Sequence, residues 1–114
     1  MTSAPVATIQ KIRPFLLNGW SNFGTWEEAG IYKNENGEVR CEGLIKGDYS
    51  KVIFAFPEGF RPNKRHIFNL QAQNTAHRVD INENGEVYFS HDGNKGIQGS
   101  GWLSLDGLVF YAKN

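Results

Sequence analysis

The residues able to do chemistry in this chain of 114 residues are three tryptophans, three histidines and one glycine-rich loop. Trp20, Trp26 and Trp102, with Tyr49, Tyr88 and Tyr111, are rings that combine an apolar face with a polar edge. Such rings suit the faces of sugars, and amide or carboxylate side chains beside them supply directional hydrogen bonds. The segment 91–101 (HDGNKGIQGSG) carries four glycines in eleven residues and reads as an irregular loop. The expected ligand contacts are therefore Trp20, Trp26 and Trp102 together with His91, Asp92 and Asn94 of that loop. The competing reading is packing. Trp20, Phe23 and Trp26 fall within seven residues and would equally plug one end of a sandwich or lie between subunits.

Catalysis has no positive support. His66, His77 and His91 sit in separate segments with no His-x-x-x-His or His-x-Glu spacing that would hold a metal. Gly99-Ser100-Gly101 is not a Gly-x-Ser-x-Gly elbow. Asp92-Gly93-Asn94 offers too few carboxylates for a calcium loop. The carboxylates show no arrangement that singles out a glycosidase pair. A non-enzymatic module without metal or cofactor is expected.

Bulk composition narrows the partners. Twelve basic residues balance twelve acidic ones without a block of either sign, which argues against a nucleic acid or an anionic membrane as partner. The short cluster Arg61, Lys64, Arg65 reads as a solvated turn. A single cysteine, Cys41, rules out an internal disulfide and reads as a small buried residue. No apolar run is long enough to span a bilayer and the N-terminus lacks a signal pattern, so a soluble chain made in the cytoplasm, without membrane insertion, is expected.

The elements that must position these residues read as strands. Residues 1–14, bracketed by two prolines, read as a linker or N-terminal arm, and 15–114 as one domain. The hexapeptide Asn-Glu-Asn-Gly-Glu-Val occurs twice, at 34–39 and 82–87, each copy predicting a hairpin turn at its Asn-Gly. Val39, Cys41 and Gly43 alternate with Glu38, Arg40 and Glu42, a strand with one wet face. Residues 44–50 read as a second turn region. Val52–Phe56, apolar on both faces, reads as a central or covered strand. Pro57 and Pro62 bound a stiff corner around Gly59. In 76–82 the alternation puts Val79 and Ile81 inward with Arg78 and Asp80 outward; in 86–90, Val87 and Phe89 point inward and Tyr88 outward. Trp102–Leu105 and Leu108–Tyr111, joined by Asp106-Gly107, read as the last strands. With seven to nine short strands and no helix-length pattern, the prediction is an all-β, antiparallel, jelly-roll-like sandwich.

Four pieces in order resemble the C-terminal tip domain of bacteriophage tail-fibre and related virion fibre proteins. These are Leu17–Trp20, the Tyr32–Leu44 hairpin, the Pro57–Pro62 corner and Trp102–Phe110, together spanning most of 15–111. The resemblance implies a compact sandwich, commonly a homotrimer, attached to an upstream fibre or virion protein and located at the fibre tip. Its partner there is bacterial cell-surface glycan. It equally implies a purely structural trimerisation or capping knob, and no set of ligand residues carries over with it. A carbohydrate-binding accessory module of a carbohydrate-active enzyme is the other reading of the same rings.

Overall fold

In the computed structural model, which describes residues 11–113, the sequence alternation becomes eleven antiparallel strands, with no helix among the described residues. They are β1 (Ser21–Asn22), β2 (Gly30–Lys33), β3 (Glu38–Glu42), β4 (Leu44–Asp48), β5 (Phe54–Ala55), β6 (His66–Gln71), β7 (Ala76–Ile81), β8 (Glu86–His91), β9 (Asn94–Lys95), β10 (Ser100–Ser104) and β11 (Val109–Tyr111). The excess over the expected seven to nine lies in β1, β5 and β9, which have two residues each. Three sheets result, ordered β11-β3-β2, β1-β4-β10 and β5-β8-β7-β6, with β9 paired to β8. The fold is all-β and sandwich-like. Its single core draws Val39, Cys41 and Phe110 from the first sheet, Ile45 and Leu103 from the second, and Phe54, Val79, Ile81, Val87 and Phe89 from the third. Cys41 is buried among them, which raises its thiol pKa.

Both hexapeptide copies make hairpins, but not through two-residue turns. The carbonyl of Asn34 accepts from Gly37 N–H, and Asn34 N–H donates to the Glu38 carbonyl; Asn82, Gly85 and Glu86 repeat the pattern. Only the glycine takes a positive φ in each (87° at Gly37, 90° at Gly85), so these are three-residue loops closed by a glycine bulge. The two-residue form occurs at Asp92-Gly93, where both residues have positive φ between paired His91 and Asn94.

The strand Glu38–Glu42 passes directly into β4, which lies in another sheet. Gly43 makes that passage at φ 116°, and a Cβ there would come within 2.6 Å of Ala29 Cα and the Glu28 carbonyl. Running antiparallel beside it, β10 continues past a turn at 105–108 into β11. At the crossing, three residues (41–43) face four (105–108), and the Asp106 carboxylate accepts the Gly43 N–H at 3.0 Å. The last two strands are thus successive parts of one ribbon.

Several expectations are corrected. Residues 44–48 are not a turn: β4 is the middle strand of its sheet, with Ile45 and Tyr49 buried and Lys46 and Asp48 exposed. Residues 52–56 are covered but not central. Only Phe54 and Ala55 form the strand, at a sheet edge, and the open side of Ile53 is taken by Leu17 N–H at 2.8 Å. Asp80 and Tyr88 lie on the outer face, as the alternation requires, yet both are buried. Arg78 grips the Asp80 carboxylate at 2.8 and 3.0 Å, Tyr88 OH donates to Asn82 Oδ1, and Lys95 lies over the Tyr88 ring. The charged side chains shield their own sheet face. The arm expected over 1–14 falls mostly outside the described residues. Its last part is docked, with Ile12 bridging Ile31.

Candidate functional site

Alternation along β10 fixes the site. Leu103 points into the core, so Trp102 and Ser104 point outward, beside Lys46 and Leu44 of β4. The segment after β1 folds over this outer face. Gly24, at φ 59°, opens a turn closed by Trp26 N–H to the Phe23 carbonyl at 3.2 Å. Phe23 N–H donates to the Leu44 carbonyl and Leu44 N–H to the Glu27 carbonyl, both at 2.9 Å. Asn22 Oδ1 accepts from Ala29 N–H and fixes the far end of the segment. This stitching sets Trp26 against β4 and β10.

The product is a cleft of about 400 Å³ whose walls include Trp26, Trp102, Phe23 and Leu44, with Glu27, Gln71, Ser104 and Asp106 supplying the polar groups. Trp26, on the wall of the cleft, is 65% exposed. Glu27 is held at the rim by Lys11, whose ammonium also reaches Glu42 (2.7 and 2.9 Å). The hydrogen bonds to Glu27 and Glu42 raise the lysine pKa, and the bond from Lys11 lowers that of Glu42. The cleft therefore offers ring faces for apolar contact and carboxylate, amide and hydroxyl groups for directed hydrogen bonds. This is the chemistry of a sugar ring, which has C–H patches on its faces and hydroxyls around its edge.

Of the six residues expected at a site, the structure brings Trp26 and Trp102 together here. Trp20 is not available: it is 4% exposed, packs against Tyr49 and Phe89 with centroids 6.2 Å away, and covers Gly47. The packing reading holds for this ring. Tyr49 and Tyr88 are buried as well. His91, Asp92 and Asn94 line a different cavity of about 760 Å³, formed with β7, Ser50 and residues 94–98, that shares no lining residue with the aromatic cleft. Their loop is more regular than expected, since it includes β9 and begins β10.

Phe23 belongs to the ring cluster read from the sequence, whereas Glu27, Gln71, Ser104 and Asp106 were not singled out. Asp106 belongs to the Asp-Gly turn, which the sequence does signal, whereas Glu27 carries no such signal. Gln71 enters only through the bridge from Ala72 to Leu103, which joins the end of β6 to β10. Among the described residues no group of histidine, cysteine and carboxylate side chains is placed to hold a metal. Compared with protein-family models, with curated proteins and with solved structures, the chain matches none.

Proposed function

We propose that the chain is a non-enzymatic glycan-binding module whose site is the aromatic cleft. One observation carries the reading: Trp26 and Trp102, from distant parts of the sequence, line one cleft together with Glu27, Gln71 and Asp106. The resemblance of 15–111 to phage fibre-tip domains supplies the setting, a receptor-binding tip that attaches a virion to bacterial surface glycan. The trimeric form belongs to the same proposal. It is supported by the outer position of β6 in its sheet and by Ile67 on that strand, 59% exposed.

The test is glycan-array binding followed by calorimetry on the glycan retained. Alanine at Trp26 or Trp102 is expected to weaken binding at least tenfold, about 1.4 kcal/mol or more. Far-UV spectra and melting of the Trp26 variant stay near wild type, because the ring is mostly exposed. Undiminished affinity in the double variant would remove the cleft from consideration. Cleavage of the array glycans would replace binding with catalysis.

A further inference from the structure

Three Asn-Gly pairs occur in the chain, at 18–19, 36–37 and 84–85. The pairing has a chemistry of its own. A glycine nitrogen, unhindered by a side chain, can attack the carboxamide of the asparagine before it and close a cyclic imide. The last two pairs lie in identical hexapeptides, so the same residues flank both and only the fold tells them apart.

The two hairpins use their asparagines differently. In the first, Asn34 Oδ1 accepts the N–H groups of both Asn36 and Glu38, at 2.9 and 3.0 Å. Asn36 enters that cap through its backbone, and its side chain lies exposed at the tip. In the second, Asn82 Oδ1 is taken by Arg65 Nε and Tyr88 OH, both at 3.0 Å. The N–H of Glu86 goes instead to Asn84 Oδ1, at 3.0 Å. The carboxamide that would react is therefore held in the second copy, whereas in the first the capping falls to Asn34.

The glycines differ as well. Each nitrogen donates to the carbonyl three residues back, at 3.0 Å from Gly37 to Asn34 and 2.9 Å from Gly85 to Asn82, so either loop must open before it reacts. Gly85 is buried, its carbonyl accepts the Phe56 N–H at 2.9 Å, and a Cβ there would stand 2.5 Å from the Phe56 carbonyl. Gly37 is half-buried; its carbonyl accepts the Ala112 N–H at 2.9 Å, but a Cβ there would meet nothing nearer than the Ala112 carbonyl at 4.0 Å. Opening the second loop drags a packed glycine from beneath Phe56, and opening the first does not. Asn18 is restrained in another way, since its carboxamide donates to the Val52 carbonyl at 2.8 Å.

We propose that Asn36 is a site of spontaneous modification, converting to aspartate and isoaspartate ahead of Asn84 and Asn18. The Gly37 nitrogen gives up its proton and bonds to Asn36 Cγ; the Cγ–Nδ2 bond breaks and ammonia leaves with that proton. Water then opens the imide at either carbonyl. Both products place a new carboxylate at the hairpin tip, and isoaspartate also lengthens the main chain between Asn34 and Gly37. The assignment is independent of any ligand and of the glycan reading.

The experiment ages the full chain at mildly alkaline pH, folded in buffer and unfolded in urea, and follows its tryptic peptides by tandem mass spectrometry. Cleavage after Lys33 and Arg40 isolates Asn36, and cleavage after Arg78 and Lys95 isolates Asn84. In the folded protein Asn36 is expected to convert at least tenfold faster than Asn84, and faster than Asn18, with isoaspartate appearing beside aspartate. In urea the two hexapeptides should convert at the same rate. Equal folded rates, or a faster Asn84 or Asn18, overturn the proposal. Unequal rates in urea overturn it too, by placing the difference outside the fold. Aspartate without isoaspartate rules out the imide and with it the role given to Gly37.

Discussion

The assignment of Trp20 to the core rather than to a ligand is testable through its contact with Gly47. That glycine faces inward on β4 between Ile45 and Tyr49, and its φ lies outside the left-handed region, so the backbone alone tolerates alanine. An added Cβ would stand 2.4 Å from Trp20 Cδ2, with no room for either group to yield in a ring held by Tyr49 and Phe89. Overpacking of this kind costs about 1–3 kcal/mol. Against it stands a gain of about 0.5–1 kcal/mol for replacing glycine within a strand. Gly47→Ala is therefore expected to lose up to roughly 2.5 kcal/mol in the wild-type background. In a Trp20→Ala background the obstruction is gone, and the same change should stabilise by about 0.5–1 kcal/mol. Trp20→Ala itself costs about 3–5 kcal/mol, within what a domain of ordinary stability tolerates. Urea unfolding followed by far-UV circular dichroism gives all four corners of the cycle without relying on tryptophan emission. The diagnostic result is the reversal of sign. If Gly47→Ala has the same sign in both backgrounds, Trp20 does not lie on Gly47 and its burial is misassigned.

Two further perturbations probe the outer face of the β5-β8-β7-β6 sheet and the carboxylates of the surface. Asp80→Asn leaves Arg78 and Arg65 without their shared carboxylate, but both guanidiniums are partly exposed and can turn to water. A loss of about 1–3 kcal/mol is expected, and a variant melting at the wild-type temperature would show that the ion pair contributes nothing. Glu86 is held below the ordinary carboxylate value of 4.5, chiefly by the hydrogen bond from Lys95, and Glu42 likewise, chiefly by that from Lys11. A depressed folded pKa means stability present above the unfolded value and lost as pH falls through the folded one. Melting temperature should thus be level near neutrality and fall below about pH 4.5, less steeply in Glu86→Gln; equal slopes would dismiss Glu86 as a contributor.

Strand content was legible because alternation is a local property. Val39 and Cys41, Val79 and Ile81, Val87 and Phe89 all point where period two puts them. Which face a residue takes does not say what covers that face. Asp80 and Tyr88 were read as wet, yet long charged neighbours close over them. Residues 44–50 read as a turn region because Gly47 and Asp48 look like punctuation. In the fold Gly47 is small because a ring needs the space. The same contact explains why the three tryptophans could not be sorted from sequence. Leu103 and Leu105, apolar at alternate positions after Trp102, imply its outward direction. The difference between Trp20 and Trp26 is decided by distant partners, Gly47 and Phe89 for the first and Leu44 and Gln71 for the second. The Lys95–Glu86 pair is likewise invisible until β8 and β9 are side by side.

The mismatch of three residues against four where β3-β4 runs beside β10-β11 has a consequence for phase. On the first strand the buried positions keep odd parity throughout: Val39, Cys41, Gly43, Ile45. On its neighbour they are odd at Leu103 and Leu105 and even at Leu108 and Phe110. Without the additional residue, Phe110 would swing out to solvent and Val109 and Tyr111 would turn into the core, because a slip of one position inverts every side chain beyond it. The surplus is absorbed in the turn at 105–108, and a residue there is released from the inward-outward count. Asp106 stands in that turn, exposed, with one oxygen on Gly43 and its side chain at the cleft. The correction that keeps Leu108 and Phe110 in step with the core is also what delivers a carboxylate to the site.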